Sequence, residues 1–364
     1  MTLPAKMTTK ALYYLPVNPR FADWEYYKVD SEALHDLFDE VVVCNSIWQV
    51  MASCRGVAAI YCWWWHASMP VVLLARLLGI PTVVTGAIHM FDISGASDFY
   101  SKSPLFRLFA SLSLRLADAN LFISQDQFRQ MTSHLSVNNA LIVRSSLGKT
   151  QPMAPDTILK TRADLRAGRG GNEKVVFVSI VWQTQVQFTR KGVWETLGAF
   201  ALLKKRTKLP FEWIVAGKAD DGTESLRAKV LELGLSNEVK ILTDVTSAKK
   251  SDLYLSADLY IQSSWHEGFG NAVLEAMSHG APALVSRYTA QPEGVGNCGL
   301  IAMDISPEAL ADKLEYFMSL DEPARTALSK AALTRALTEF SYAKRVSEMS
   351  SAFADLGIVG LKKS

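Results

Sequence analysis

The sequence predicts two doubly wound α/β domains in tandem, each a parallel sheet covered by helices on both faces. Three observations carry that prediction. Strand and helix patterns alternate along most of the chain, as they do where parallel strands are joined by crossover helices. The strands are short β-branched runs such as VVFVSIV (175–181), fit for burial on both faces. At 364 residues the chain exceeds one ordinary core, and 49% hydrophobic against 20% charged residues supplies two. The expected division is 1–160 and 161–340, with a helix over 341–364 packing back on the first domain.

In the first domain the expected strands are ALYYLPV, EVVVCNS, VAAIYCWWW, PTVVTGA, ANLFISQ and NALIVRSS, with helices in PVVLLARLLG and PLFRLFASLSLRLA. Gly56 to Ala75 carries no formal charge and is long enough to cross a bilayer, yet His66, Ser68 and Pro70 interrupt it. A buried strand followed by a core helix is the better reading. Segment 149–173, KTQPMAPDTILKTRADLRAGRGGNE, combines prolines, clustered glycines and basic residues, and is expected to contain the connection between domains. The second domain reads VVFVSIV, the helix GVWETLGAFALLKKR, the strand FEWIVAG (211–217), the helix ESLRAKVLELG and the strand VKILTDV (239–245). KKSDLYLSA follows, then the strand DLYIQSS (258–264), a helix over Asn271 to His279, and the strand APALVSR (281–287). From Ser306 onward nearly everything reads as helix.

Bulk properties narrow the function classes. A net charge of +2 with no basic tail, RNA-recognition pattern or zinc-finger spacing leaves no footprint for nucleic acid. Cys44, Cys54, Cys62 and Cys298 show no CxxC spacing and read as small buried thiols of a reducing compartment. Residues 1–20 lack a signal-peptide pattern, so the expected location is cytoplasmic.

The chemistry concentrates in HEGFGNAVLEAMSHGAP (266–282). Gly268 and Gly270 let the backbone turn tightly and approach a ligand. The helix that follows is expected to stop at Gly280, with Pro282 beyond it. Amides from Phe269 through Ala272 lie at its positive end and suit a diphosphate. Val273, Ala276, Met277 and Gly280 form the apolar stripe, so Glu275, the i,i+4 partner of Asn271, points away from the core. A carboxylate repels phosphate unless it serves another part of the ligand. Glu267 and Glu275 would suit sugar hydroxyls, because an ionised carboxylate accepts two such bonds at once. A generic mononucleotide site is the rival reading of the loop, and a solvated helix residue that of Glu275. A dinucleotide fingerprint is disfavoured, since the third glycine is missing.

Strand, E-G-F-G, four residues, then E-A-M-x-x-G-x-P resembles the signature of the retaining GT-B glycosyltransferases of family 4, whose E-x7-E pair matches Glu267 and Glu275. The resemblance extends to TRKGVWETLGAFALL, FEWIVAGK and SADLYIQSS, and more weakly to GIPTVVTGAIHMF and ADANLFISQ. It implies a GT-B fold, two Rossmann-like domains facing a central cleft. It also implies that Glu275 binds the nucleotide ribose, that Glu267 holds the donor sugar, and that the amides of Phe269, Gly270 and Asn271 receive the diphosphate. Lys191 would neutralise the departing phosphate and His89 would stand near the anomeric centre; apart from the resemblance, a solvated lysine and a core histidine are the ordinary readings.

Two departures qualify the match. Gln185 and Val186 occupy the positions of the family's phosphate-clamp arginine, leaving Arg190 and Lys218 as candidates to replace it. The family's glycine pair near the first strand is absent, and LPVNPRFADWEYY stands there, with Asn18 and Arg20 as candidates for the acceptor side. The implied activity is transfer of a hexose from a UDP- or GDP-sugar to a glycan or glycolipid acceptor, in surface polysaccharide synthesis. The departures motivate a second reading, a glycosyltransferase-like subunit that binds or activates a partner without catalysing. A sugar-nucleotide epimerase is a third, for which no acid–base pair is identifiable. No cofactor is expected: there is no Asp-x-Asp triplet and no cluster with metal-ligand spacing, as suits a metal-independent enzyme.

One helix carries a separate signal. SKSPLFRLFASLSLRLADANLF holds Lys102, Arg107 and Arg115 with no acid before Asp118, and Leu105, Leu108, Phe109, Leu112 and Leu116 at helical spacing. Packing of that stripe into the core is the favoured reading. Peripheral membrane contact through 101–117, at the inner face of the membrane, is the second.

Overall fold

The computed structural model describes residues 9–362 except 19–21, 23, 94, 96, 151–152 and 169–173. The chain forms two compact units, Met1–Thr150 with Phe340–Ser364, and Gln151–Glu339.

The first unit is built on β1 (Lys10–Tyr14), β2 (Glu40–Cys44), β3 (Ala59–Trp63), β4 (Thr82–Thr85), β5 (Ala119–Phe122) and β6 (Ala140–Ile142). All pair in parallel, in the order β2-β1-β3-β4-β5-β6. Its helices are α1 (Glu25–Leu37), α2 (Ile47–Ser53), α3 (Trp65–Leu78), α4 (Pro104–Leu116) and α5 (Gln125–His134). Side chains of α2 to α5 share one core with the sheet, and α1 lies in a second core on the opposite face. Helix starts follow the sequence: Ser46, Ser103 and Ser124 each accept the amide of the residue three positions on.

Two expectations fail here. The run VAAIYCWWW does not stay extended to its end. Trp63 closes β3, Trp64 turns the chain at φ 72°, and Trp65 opens α3. The indole of Trp64 donates to the Tyr27 hydroxyl at 2.8 Å and that of Trp65 to Asn120 Oδ1 at 2.9 Å, so each ring has its own anchor. The leucine stripe of α4 is a core stripe only in part: Leu116 packs against the core, and Phe109 and Leu112 are half-buried. Ala110, Ser113 and Leu114 are its buried face and Phe106 stacks on His66 of α3, while Leu105 and Leu108 are exposed.

The second unit carries β7 (Val175–Ile180), β8 (Phe211–Gly217), β9 (Val239–Thr243), β10 (Leu259–Gln262), β11 (Ala283–Ser286) and β12 (Leu300–Ala302), again all parallel, in the order β12-β11-β10-β7-β8-β9. Its helices are α6 (Pro155–Ala167), α7 (Gln185–Arg190), α8 (Val193–Arg206), α9 (Thr223–Glu232), α10 (Ser247–Ser256), α11 (Asn271–Ser278), α12 (Gln291–Val295), α13 (Pro307–Ser319) and α14 (Glu322–Glu339). Strand order reverses between β7 and β10, and ligands of such sheets bind at the carboxyl ends of the strands flanking that reversal.

The segment expected to connect the domains is largely α6, and the division falls at Thr150 rather than 160. Arg162 explains why α6 belongs with the second unit. Its buried guanidinium donates to the carbonyls of Tyr254, Leu255 and Ala257 at the end of α10, and to that of His279 after α11. These are the carbonyls a helix leaves unsatisfied at its negative end.

The last helix, α15 (Tyr342–Asp355), returns to the first unit. Arg345 pairs there with the fully buried Asp30 and donates to the carbonyls of Val143 and Arg144, while Tyr61 and Trp63 donate to the second Asp30 oxygen. Among the described residues no helix is long and apolar enough to cross a membrane.

Candidate functional site

The polar cluster of the second unit stands where β7 and β10 end. After β7 the chain makes α7, whose cap is Lys191, and turns at Gly192 into α8. Gly192 has φ +64°, and a Cβ there would lie 2.2 Å from the Ser263 carbonyl oxygen, so only glycine lets this turn rest on the end of β10. Two further contacts fix it: Ser263 Oγ donates to the Gly192 carbonyl at 3.1 Å, and the Trp265 amide to the Arg190 carbonyl at 2.9 Å.

That attachment brings Arg190 and Lys191 to Glu267. Arg190 Nη1 is 3.2 Å from Glu267 Oε2, and Lys191 Nζ is 3.4 Å from Oε1. Gln262 Nε2 and Ser264 Oγ reach Oε1 at 3.2 and 3.5 Å, and the Glu267 amide donates to Thr289 Oγ1 at 3.1 Å. Thr289 has φ +56°, an outlying conformation for a β-branched residue, of the kind functional sites hold. Burial would raise the Glu267 carboxyl, but Arg190 and Lys191 outweigh it and hold it at about 2. Burial lowers the Lys191 ammonium, and Glu267 opposes that change. The carboxylate is thus ionised, and two cations face it, so the cluster keeps a net positive charge to meet an anion.

Glu275 lies one turn into α11 and is part-exposed. Lys250 Nζ is 2.5 Å from its Oε2 and the Tyr254 hydroxyl donates to the same oxygen at 3.0 Å, both from α10. Its charge also acts on Lys191, which places it in the same electrostatic neighbourhood. The helix starts from Gly270 at φ +90° and ends before Gly280 at φ +76°. Val273, Ala276 and Met277 are buried and so is the Phe269 ring, while Gly268 and Asn271 are half-buried beside the turn.

Other expected residues stand elsewhere. Lys218, at the end of β8, lies over the Trp182 ring at 5.4 Å and does not join the Glu267 cluster. Arg190 is therefore the second cation. His89 and Asn18 belong to the first unit: His89 is buried in a bridge with Asp98, and Asn18 is exposed. Arg20 lies outside the described residues. The sequence reading missed Gln262, Thr289 and Lys250. Gln262 could have been found, since a glutamine ending an otherwise apolar strand is an anomaly. Thr289 and Lys250 come from distant segments with no local signal. Among the described residues no group of three or more His, Cys, Asp or Glu side chains could hold a metal ion.

Residues 179–335, which contain this whole cluster, match the family described as Glycosyl transferases group 1. The match covers most of the second unit. Over 31% of its length the chain is 33% identical to the O-antigen chain mannosyltransferase B of Escherichia coli, covering 30% of that protein. Over 26% it is 37% identical to a GDP-mannose:cellobiosyl-diphosphopolyprenol alpha-mannosyltransferase of Xanthomonas oryzae, covering 25% of it. The match thus spans less than a third of the length of these mannosyltransferases. Structural likeness is broader. Sucrose-phosphate synthase from Thermosynechococcus elongatus superimposes with a TM-score of 0.70 at 15% identity, over 96% of this chain and 99% of that one. HepE of Anabaena, solved with UDP and glucose, gives 0.69 at 16% identity, over 95% and 99%. The chain therefore has the two-domain, Rossmann-like GT-B fold.

Proposed function

We propose that the protein is a retaining glycosyltransferase that moves a hexose from a UDP- or GDP-sugar to a glycan or glycolipid acceptor in surface polysaccharide synthesis. The carrying observation is the Glu267–Arg190–Lys191 cluster at the strand-order reversal. The cations and the start of α11 take the diphosphate. Glu267 then trades its cation contacts for hydroxyls of the donor sugar, and Glu275 grips the ribose. In the reaction the bond between the anomeric carbon and the phosphate oxygen breaks, and the nucleoside diphosphate leaves with that electron pair. The acceptor oxygen forms its new bond on the same face, and its proton passes to the departing phosphate. Arg190 and Lys191 offset the charge that builds there, the role a divalent ion would otherwise fill. Arg190 also supplies the charge whose loss motivated the reading of an impaired subunit, so catalysis is the reading we favour.

A thermal-shift panel of nucleoside diphosphates and their sugars tests this, because a specific ligand stabilises by mass action. Glu275→Ala should abolish the shift, whereas Glu267→Ala should keep it and lose transfer. A panel in which no nucleotide shifts the melting temperature and no donor is turned over refutes the proposal.

A further inference from the structure

The first unit carries an apolar and basic surface that its fold does not use. It is formed by α2, α3 and α4, side by side over one face of the sheet. Contacts such as His66 on Phe106 and Arg76 Nη1 on the Leu116 carbonyl align α3 and α4 in the same direction. These helices contain no aspartate or glutamate, and from Ile47 to Ala117 the acids are Asp92 and Asp98, in the loop between β4 and α4. Their outward residues should be polar in a protein that meets only water. Instead Trp48 is 73% exposed, Leu77 86%, Leu105 60% and Leu108 53%, with Met51, Leu73 and Leu78 also exposed. Arg55, Arg76 and Arg115 stand exposed on the same elements and their ends, and Arg107 is half-buried on α4.

We propose that this three-helix face docks on an anionic lipid surface, with the leucines and Trp48 entering the interface and the arginines meeting the headgroups. Apolar burial and Coulomb attraction act together on such a face. A tryptophan of this exposure suits the boundary between headgroup and acyl chain, where one end of the ring is wet. The charge pattern argues against a second copy as the occupant. A two-fold contact sets the same patch against itself, which would bring arginines to arginines with no acid between them. The proposal does not depend on the transferase reading, because it concerns a separate unit and needs no sugar ligand.

The test is co-sedimentation of the full chain with vesicles of phosphatidylglycerol and phosphatidylcholine, against phosphatidylcholine alone. The wild type should pellet with the anionic vesicles. Leu77→Ser/Leu105→Ser/Leu108→Ser should lower partitioning about tenfold or more, and each charge reversal in Arg107→Glu/Arg115→Glu about fivefold. Leu77, Leu105, Leu108 and Arg115 are exposed, so melting temperatures should stay near wild type for the leucine variant and for Arg115→Glu alone, which is the control for a folding loss at the half-buried Arg107. Trp48→Ser, on a different helix, is the second variant and should also weaken binding. A wild type that stays in the supernatant overturns the proposal. So does a leucine variant that pellets as well as wild type, which would reduce the effect to charge alone. A dimer in sedimentation velocity that the leucine variant abolishes would assign the face to self-association instead.

Discussion

Replacing Glu267 by Gln removes one charge from the cluster and leaves its shape. Arg190 and Lys191 would then face each other, with side chains only 18% and 16% exposed, without their shared carboxylate. The cost can be reached in two ways. Holding a carboxyl at about 2 rather than 4.5 corresponds to about 3 kcal/mol of interaction with its charged form. Breaking a buried pair by removing one partner costs about 3–5 kcal/mol. The expected loss is therefore about 3 kcal/mol at neutral pH, read as the free energy of unfolding in urea. Because the folded value lies below the unfolded one, the wild-type advantage is complete above about pH 4.5 and is lost as pH falls through about 2. The two curves should converge in that acid window and run parallel above it.

The same variant separates stability from ligand binding. With the carboxylate gone, no ion pair competes with phosphate for Lys191 and Arg190, so a nucleoside diphosphate should bind at least as tightly as to wild type. It should also restore part of the lost melting temperature, while sugar transfer falls sharply. A variant that loses under about 1 kcal/mol would refute the account of the charge cluster. So would a pH-independent gap between the two proteins, or nucleotide affinity that falls with stability.

Gly192→Ala should destabilise by about 2 kcal/mol or more and weaken nucleotide binding, since the new Cβ would lie 2.2 Å from the Ser263 carbonyl oxygen at φ +64°. Gly79→Ala, at φ +66° with nothing within 4 Å, is the control and should show only the backbone cost of about 1–2 kcal/mol in the same urea titration. Arg345→Ala should cost about 3–5 kcal/mol by stranding the buried Asp30, with proteolysis of the first unit as a second readout; a loss below about 1 kcal/mol would mean that α15 docks without that pair.

The fold was legible because buried parallel strands advertise themselves. VVFVSIV and FEWIVAG lie on β7 and β8 almost residue for residue, since runs apolar on both faces have no other soluble use. What misled was local chemistry with a distant purpose. Prolines and glycines around α6 read as a linker, and the helix between them is held by Arg162 through carbonyls some ninety residues and more away in sequence. The α4 stripe read as core because periodicity reports that a helix has an apolar face and not what that face meets. At the site, the loop exposed Glu267 and Glu275 by pattern, and TRKG exposed Lys191. The ion pairs joining Arg190 and Lys191 to Glu267 depend on β7 and β10 being neighbours, which only the strand order reveals.

The two glutamates, equivalent in the sequence pattern, stand in different physical situations. Glu267 is almost fully buried between two cations and a glutamine, so any ligand that claims its oxygens must replace ion pairs with hydrogen bonds of matching geometry. That exchange is favourable only when an anion arrives with the ligand to satisfy the cations. A free sugar lacks the anion and a free diphosphate lacks the hydroxyls, so under the proposed transferase reading the intact nucleotide sugar would satisfy all partners at once. Glu275 is part-exposed, and both of its contacts described above fall on Oε2. Under the same reading a ribose hydroxyl would approach Oε1 without breaking an ion pair, which would make nucleotide capture by Glu275 separable from sugar engagement at Glu267. This asymmetry is the physical reason to expect the Glu275 variant to fail in binding and the Glu267 variants to fail in transfer.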